Sequence, residues 1–507
     1  MTKKIFTLNE IQKKLKSKRF IKKKIVLCHG VFDLLHIGHI KHFQEAKKLG
    51  DVLIVTITPD KYVKKGPNRP IFNSNLRLEA LASLECIDYL AINKWESAIE
   101  TINIIKPNYY CKGPDYKNKK KDLTKKIYDE EKAVKFHGGK IYITSAEKFS
   151  SGNIINNYLS NLNDDQKKFI NDISSECKFE IIDKLFKKLY NKKILVIGEA
   201  IIDKYVFCET LGKSGKEPIL SLKKLHSEKY FGGALAVANH LSDFCKSINL
   251  YTMIGDKDNY KTKILENLNK NIRVNFFKKT NSPTIIKTKY VDNINKNKIL
   301  GVYEINDELV DDKDQITILD QLSKFKKKFD HIIILDYGHG FISEKIARKI
   351  NRLSKSIALN AQLNAANLGL HTINNYKNIE TVVINEMEMR LEMRDRYSSI
   401  KSLLKKLSAK LNIKNLIVTR GNNGSILYRK EDNTYINCPA FAGKVVDKIG
   451  AGDAMISIVS IALSSKVNKK IALLMGSLAA AQSVESIGNS KKVDKTLMLK
   501  VIDNLLK

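Results

Sequence analysis

Two stretches, far apart in the chain, carry side chains of the types and spacing that phosphate chemistry needs. The first is His29-Gly30-Val31-Phe32-Asp33-Leu34-Leu35-His36-Ile37-Gly38-His39. His36 and His39 are three residues apart, so on a helix they share one side of the first turn. Gly38 between them lets a ligand approach the backbone. A helix start offers open N–H groups and the positive end of a dipole, which suits a triphosphate whose charge shifts as a bond breaks. The second stretch is Val445-Val446-Asp447-Lys448-Ile449-Gly450-Ala451-Gly452-Asp453. Gly450 and Gly452 allow an irregular backbone whose N–H groups converge ahead of a helix, an anion hole for a phosphoryl group in transfer. Asp453 at that helix start is placed to accept a proton from a substrate hydroxyl.

Each stretch needs a strand to deliver it and a helix to receive it. Residues 25–28 are an apolar run before the first histidine, and a helical pattern with Ala46 and Leu49 follows. Up to about residue 145 strands (51–57, 89–92, 109–111, 140–143) alternate with helices (75–84, and 97–105 ending at Pro107). The lysine-rich segment 1–24 reads as an amphipathic helix leading into the first strand. Such alternation implies a parallel sheet with right-handed crossovers, which binds ligands at the carboxyl ends of its strands. Arg69-Pro70 and Arg77 fall after the second strand, and Lys112-Gly113-Pro114-Asp115-Tyr116 after residues 109–111. Ser150-Ser151-Gly152 follows the last strand and opens a helix at 153.

A polar helical connector occupies 159–192, with Phe169, Ile173, Ile181, Leu185 and Leu189 at helical spacing. A second strand-turn unit begins at 193, with strand residues 194–199 followed by 201–203, and a helix opens at Gly232-Gly233. Alternating strands at 285–289 and 299–303 flank a polar turn and predict a small sheet acting as a lid. Strands at 331–335, 357–359, 382–384 and 416–418 alternate with helices at 343–353 and 400–411. The helix at 454–463 is apolar on nearly every face and is expected to be buried. The expected fold class is therefore α/β, two domains, each with a mainly parallel sheet flanked by helices, the second with a small β lid.

At 507 residues the chain is too long for one ordinary domain, and 43% apolar residues is normal for a globular protein. The formal charge of +35 invites a nucleic-acid reading. Scattered lysines carry most of that charge, with no arginine-rich arm, finger spacing or aromatic RNA-binding signature, so anionic small molecules are the expected partners. Seven cysteines without a Cys-x-x-Cys pair argue against a disulfide framework or a zinc site and fit a reducing cytosol. His226, His240 and His371 show no metal-ligand spacing. No secretory signal or membrane-length apolar run is expected, so the reading is cytoplasmic, with neither membrane nor nucleic acid as partner, and with a homodimer left open.

The first stretch resembles the His-x-Gly-His signature of the cytidylyltransferase-like nucleotidyltransferases. The Arg-Pro…Arg segment, the Lys-Gly-Pro-Asp-Tyr segment and the Ser/Thr-rich helix start resemble later pieces of that family, in order. Pro114 stands where the family has a second glycine. The resemblance implies catalysis by His36 and His39. It implies nucleotide binding by Gly30, Phe32, Asp33, Gly38, Arg69, Arg77, Lys112, Gly113, Asp115, Ser150 and Ser151, in a domain at 1–158 of HIGH-type Rossmann-like fold.

The second stretch resembles the Asp-Thr-x-Gly-Ala-Gly-Asp signature of ribokinase-like sugar kinases, with Lys448 in place of Thr. The resemblance covers roughly 193–500 and implies a ribokinase-like kinase domain at 193–507. It implies that Asp203, Gly232 and Gly233 hold the sugar, that Asp453 is the base, and that Asn385, Glu388, Thr419, Gly421, Gly450, Ala451 and Gly452 serve nucleotide and phosphates. Asp336-Tyr337-Gly338-His339-Gly340 resembles a segment of heptose-phosphate kinases. Ala236 and the 360–364 segment depart from the kinase pattern, which bears on the sugar more than on catalysis. Together the halves resemble the bifunctional enzymes of ADP-heptose synthesis, with the domain order reversed. Magnesium enters only with the nucleotides, ATP for the kinase and CTP or ATP for the transferase. The rival expectations are a glycerol-phosphate-type cytidylyltransferase fused to an unrelated sugar kinase, and a basic nucleic-acid-binding protein.

Overall fold

The strands of the N-terminal region alternate their side chains cleanly between two faces. In the computed structural model, Ile25 and Leu27 of β1 (Ile25–Gly30) join one buried cluster, while Val26 and Cys28 join another. That period of two lets a parallel sheet be covered on both sides. The first cluster takes in Leu8, Ile11, Ile102, Ile105 and Val134; the second takes in Phe43, Ala46, Leu78 and Leu81. The structure describes residues 4–63, 69–116, 126–145, 162–176, 179–363, 367 and 371–506. The chain divides into two compact units, Met1–Asp164 with Leu499–Lys507, and Asp165–Met498.

The first unit holds β1, β2 (Val52–Ile57), β3 (Tyr89–Ile92), β4 (Tyr109–Lys112) and β5 (Lys140–Ile143) in the order β3-β2-β1-β4-β5, all parallel. The order reverses between β1 and β4, and crevices at such switch points are where doubly wound sheets take ligands. β1 ends at His29-Gly30 and β4 at Lys112, so the first chemical stretch opens at the switch. The expected N-terminal helix is shorter than 1–24. Leu8–Leu15 is helical, started by a capping box between Thr7 and Glu10, and Lys18–Phe20 is a separate short turn.

The second unit is built on β6 (Lys193–Lys213), which departs from expectation by running without a turn through 194–203 and beyond. Its first half lies between β8 (Ser247–Gly255) and β12 (His331–Asp336), both parallel to it. From Ile201 onward it exchanges partners for antiparallel β7 (Leu220–Gly232) and parallel β10 (Ile285–Asp292). β9 (Ile272–Lys279) extends the main sheet beyond β8. On the far side β13 (Ile357–Ala361), β14 (Thr381–Asn385), β15 (Asn415–Thr419), β16 (Ser425–Arg429) and β17 (Thr434–Cys438) follow β12 in order, the last two antiparallel. β11 (Lys298–Glu304) pairs with β10, so the lid sheet has the expected hairpin plus β7, which was not expected, and a second half of β6 that runs well past the expected 201–203.

The stretch expected to be a connector forms two helices, Asp164–Glu176 and Phe179–Tyr190. They pack into the second unit: Gln166 Nε2 donates to Ala440 O at 2.5 Å, and Lys470 Nζ to Glu176 Oε1 at 2.7 Å. Ile182, not Ile181, is the buried isoleucine of the second helix. The helix Ala451–Ser464 is buried along nearly its whole length, as its composition predicts. Among the described residues no helix is long and apolar enough to cross a membrane.

Candidate active sites

At the end of β1, His36 caps the helix Ile37–Lys47 by accepting from Gly38 N at 3.1 Å. His39, one turn on, stacks against it with ring centroids 3.8 Å apart. Phe32, with φ of 48°, turns its ring edge-on to His39 and Phe43. A Cβ at Gly30 would sit 2.8 Å from the tip of the Phe32 ring, so a side chain there would require that ring to shift. The first stretch therefore delivers a histidine pair to the switch point. Two other histidines nearby are held neutral by burial, His29 at a pKa of about 3 and His42 at about 4. His29 Nδ1 lies 2.9 Å from Thr56 Oγ1, and His42 Nδ1 lies 2.9 Å from Thr144 Oγ1.

Several residues expected to touch nucleotide hold neighbouring loops together in this structure. Asp33 is buried and accepts from Ile71 N at 2.7 Å, Phe72 N at 3.2 Å and Arg69 Nη1 at 3.2 Å. Arg77 is 1% exposed. Its guanidinium donates to the carbonyls of Val31 at 2.5 Å, Thr58 at 2.9 Å and Phe72 at 3.0 Å, and to Asp60 Oδ1 at 2.5 Å. Arg77 is thus a clamp across the ends of β1 and β2, a role its position in a motif does not reveal. Ser150 and Ser151 lie outside the described residues, as does the side chain of Asp115, while Gly113 follows β4 directly.

Lys112 is buried, 2.9 Å from Glu130 Oε2 on the helix Lys126–Phe136. Its ammonium also lies over the rings of Tyr110 and Tyr116. No motif marks Glu130 in the sequence. Because breaking one side of a buried pair strands the other charge, Glu130→Ala is expected to destabilise the first unit by about 3 kcal/mol. Urea unfolding followed by the fluorescence of Trp95 in that unit would measure it; a loss below about 1 kcal/mol would mean that water already compensates Lys112.

In the second unit the Gly450 stretch is where its spacing predicts. Gly450 caps the helix Ala451–Ser464 with φ of 88°. The first intrahelical bond is Ala454 N to Gly450 O at 2.9 Å, so the amides of Ala451, Gly452 and Asp453 precede the helical ladder. They border a cleft of about 430 Å³ that brings together Asp203, Gly233, Asn385, Glu388, Thr419, Gly450, Ala451, Gly452 and Asp453. Gly232 lies just behind: a Cβ there would come within 2.4 Å of Asp203 Oδ2. Gly421 faces an adjoining, more apolar cavity of about 330 Å³ with Phe441, Val445, Met455 and Val484. The two cavities share Thr419, Lys448, Ala451 and Gly452.

Burial raises the Asp453 carboxyl to a pKa of about 7, a useful value for a proton acceptor near neutrality. Asp203 forms an ion pair with Lys289, and Lys287 lines the same cleft. Both lysines come from β10 at positions two apart, hence on one face. The sequence reading passed over them, although that spacing in a predicted lid strand was the available signal. Asn385 and Glu388 form a capping box at the start of the helix Glu386–Met393. Burial lifts Glu388 to about 7 as well. Of the histidines set aside as surface or core, His226 is exposed and His240 is buried with Nδ1 accepting from Val493 N. His371 lies 3.2 Å from Asp336. Among the described residues no group of three or more His, Cys, Asp or Glu is arranged to hold a metal.

One unit is doubly wound with a histidine pair at its switch point, and the other carries an open-amide helix start and a β lid, features shared by the nucleotidyltransferase and sugar kinase classes of fold. The chain belongs to the pfkB family of carbohydrate kinases, whose family profile matches residues 191–496, and a cytidylyltransferase-like profile matches residues 27–157. It thus joins a cytidylyltransferase-like domain to a domain of the carbohydrate kinase family. Over the cytidylyltransferase part it is similar to the bifunctional protein HldE of Aliarcobacter butzleri (strain RM4018), 42% identical over 156 residues, 30% of this chain and 32% of the relative. A similar match joins it to the bifunctional protein HldE of Helicobacter pylori (strain G27), 40% identical over 138 residues, 27% of this chain and 29% of the relative. The chain thus spans about a third of the length of these curated relatives. The phosphofructokinase-2 of Escherichia coli, solved in complex with potassium, shares the fold at 14% identity and a TM-score of 0.51, covering 62% of this chain and 100% of that one.

Proposed function

We propose that the chain phosphorylates a sugar phosphate with ATP in its second unit and, in its first, transfers a nucleotidyl group from CTP or ATP to a sugar 1-phosphate, releasing pyrophosphate. The observation that carries the kinase half is the pair Lys287 and Lys289 in one cleft with Asp453. Lys289 is balanced by Asp203, and Lys287 adds a second ammonium whose burial favours an acceptor that already bears a phosphate. Asp203 with Lys289 and Gly233 orients the sugar. Asp453 takes the proton of the attacking hydroxyl, and the amides at Gly450–Gly452 bear the charge of the phosphoryl group in flight. The apolar cavity beside Gly421 accommodates the base of the nucleotide.

Glu388, a buried carboxylate fixed by Asn385 at the polar end of the cleft, fits magnesium that arrives with the nucleotide and keeps much of its water. Bound there, magnesium would neutralise phosphate charge. In the first unit His36 and His39 stabilise the triphosphate as pyrophosphate leaves, with direct attack by the sugar phosphate. Gly30 and Gly38 keep the backbone open to it, and Arg69, Lys112, Gly113, Asp115, Ser150 and Ser151 complete the binding surface. The proposed boundaries are 1–158 for the transferase, 159–192 for the two following helices as a structural part of the kinase side, and 193–507 for the kinase.

This reading resembles ADP-heptose synthesis for surface polysaccharide, and the similarity to proteins named HldE supports it. The cytidylyltransferase-like profile keeps CTP, and with it a polyol-phosphate acceptor, as the second reading for the first unit. The test is a panel of sugars and sugar phosphates with ATP, followed by mass analysis after adding CTP or ATP. A phosphorylated heptose is expected to become a bisphosphate, and a sugar 1-phosphate to become a nucleotide sugar with release of pyrophosphate. Turnover of neutral sugars alone would overturn the proposed acceptor class.

A further inference from the structure

The tyrosine that forms one wall of the kinase cleft is held more rigidly than a lining residue requires. Tyr337 follows β12 and is 3% exposed. Its backbone N donates to Glu199 Oε2 at 3.1 Å, and its carbonyl accepts from Asn367 Nδ2 at 3.2 Å. The same Glu199 accepts from His339 N at 3.2 Å, while Asp336 accepts from Gly338 N at 3.2 Å and from the Tyr376 hydroxyl at 2.6 Å. Gly338 and Gly340 have φ of 68° and 87°, conformations that let the segment fold back on these anchors. With the backbone so anchored, the Tyr337 hydroxyl donates to Asp453 Oδ1 at 2.8 Å.

We infer that Tyr337 is a positioning residue for the proton acceptor: its hydroxyl occupies Oδ1 of Asp453, fixes the carboxylate plane, and leaves Oδ2 to take the substrate proton. The inference rests on the proposed role of Asp453 as base. Four elements present charge or a donor to this carboxylate. Asp203 of β6 and Glu388 of the helix Glu386–Met393 disfavour its ionised form, as burial does. Lys287 of β10 and the Tyr337 hydroxyl favour it. Lys289 of β10 and Lys448 of the loop before the helix line the same cleft. Removing one donor from a balance poised near neutrality moves the ionisation upward, because the anion loses a hydrogen bond that the acid form did not need.

Tyr337→Phe keeps the ring and deletes only that donor. In the full chain, with ATP and heptose 7-phosphate, the acidic limb of the kcat profile is expected to move up by on the order of one pH unit. Turnover at about pH 9 should return to within a few-fold of the parent, and KM for ATP should not move. A tyrosine that merely packed would lower kcat at every pH and leave the limb in place. The carboxyl titration of Asp453, read by NMR on chain labelled with carbon-13 at aspartate Cγ and assigned by its loss in Asp453→Asn, gives the same midpoint without any acceptor. An unmoved midpoint overturns the inference. If Tyr337→Phe does not fold, difluorotyrosine placed at 337, a stronger donor, must shift the midpoint down, and no shift overturns it equally. The underlying reading fails separately, if Asp453→Asn retains acceptor-dependent ATP turnover.

Discussion

Replacing Asp453 with Asn is expected to lower acceptor-dependent ATP turnover by about three orders of magnitude, the usual contribution of a positioned general base. The amide keeps the size of the side chain and can still accept from the Tyr337 hydroxyl, so packing in the first turn of the helix Ala451–Ser464 is preserved. KM for ATP should change little, because the anion-hole amides and the apolar cavity beside Gly421 are untouched. Pyrophosphate release by the first unit should be unaffected. Burial pushes this carboxyl up to about 7, and a proposed base must be ionised to act, so parent kcat should climb as pH rises through that value and level off above it. Initial rates across the pH range check both points, and a variant within ten-fold of the parent would remove Asp453 from the role of base.

His39→Ala is the second large effect, an expected loss of two to three orders of magnitude in nucleotidyl transfer, on the order found when one oriented donor to a developing charge is removed. The two rings are stacked at 3.8 Å, so they are expected to act on the triphosphate as one unit. His36→Ala should therefore cost about as much, and the double variant little more than either alone. His36→Ala also removes the cap on Gly38 N, which should add about 1 kcal/mol of lost stability that His39→Ala does not share. Pyrophosphate release from CTP or ATP with a sugar 1-phosphate reads the rate, and thermal melting separates the cap from the chemistry. Losses that simply multiplied in the double variant would mean that the histidines act at separate points.

The parts of this protein that were legible in its sequence are those whose pattern is enforced by burial on both faces. β1, β2, β12 and β15 are continuous apolar runs because helices cover the sheet above and below, and each was placed within a residue or two. β7 was invisible because most of its residues are exposed and its composition is polar. The continuity of β6 across Ala200 was hidden because a carboxylate at 199 ends the apolar run, and nothing local tells that Glu199 is fully buried beneath the backbone amides of Tyr337 and His339. Motif residues were found, but a motif does not say which way a side chain faces. Asp33 and Arg77 sit in the right stretches and spend themselves on loops. Partners separated by long sequence, such as Lys112 with Glu130 or Tyr337 with Asp453, leave no local signal at all.

The long strand β6 also bears on how the second unit is assembled from its chain. It is the first strand of that unit to be synthesised, yet its main-sheet edge is closed by β12, beginning where Lys193 N donates to Asp330 Oδ2 across 137 residues. Until residues 331–336 emerge, that edge is an open row of amides and carbonyls beside apolar side chains, the kind of surface that recruits a stray strand. Pairings of such long range make for slow acquisition of the native sheet. A nascent chain halted ahead of β12 therefore exposes the apolar first half of β6 to self-association, and about half of this unit, through residue 336, must leave the ribosome before that edge can close.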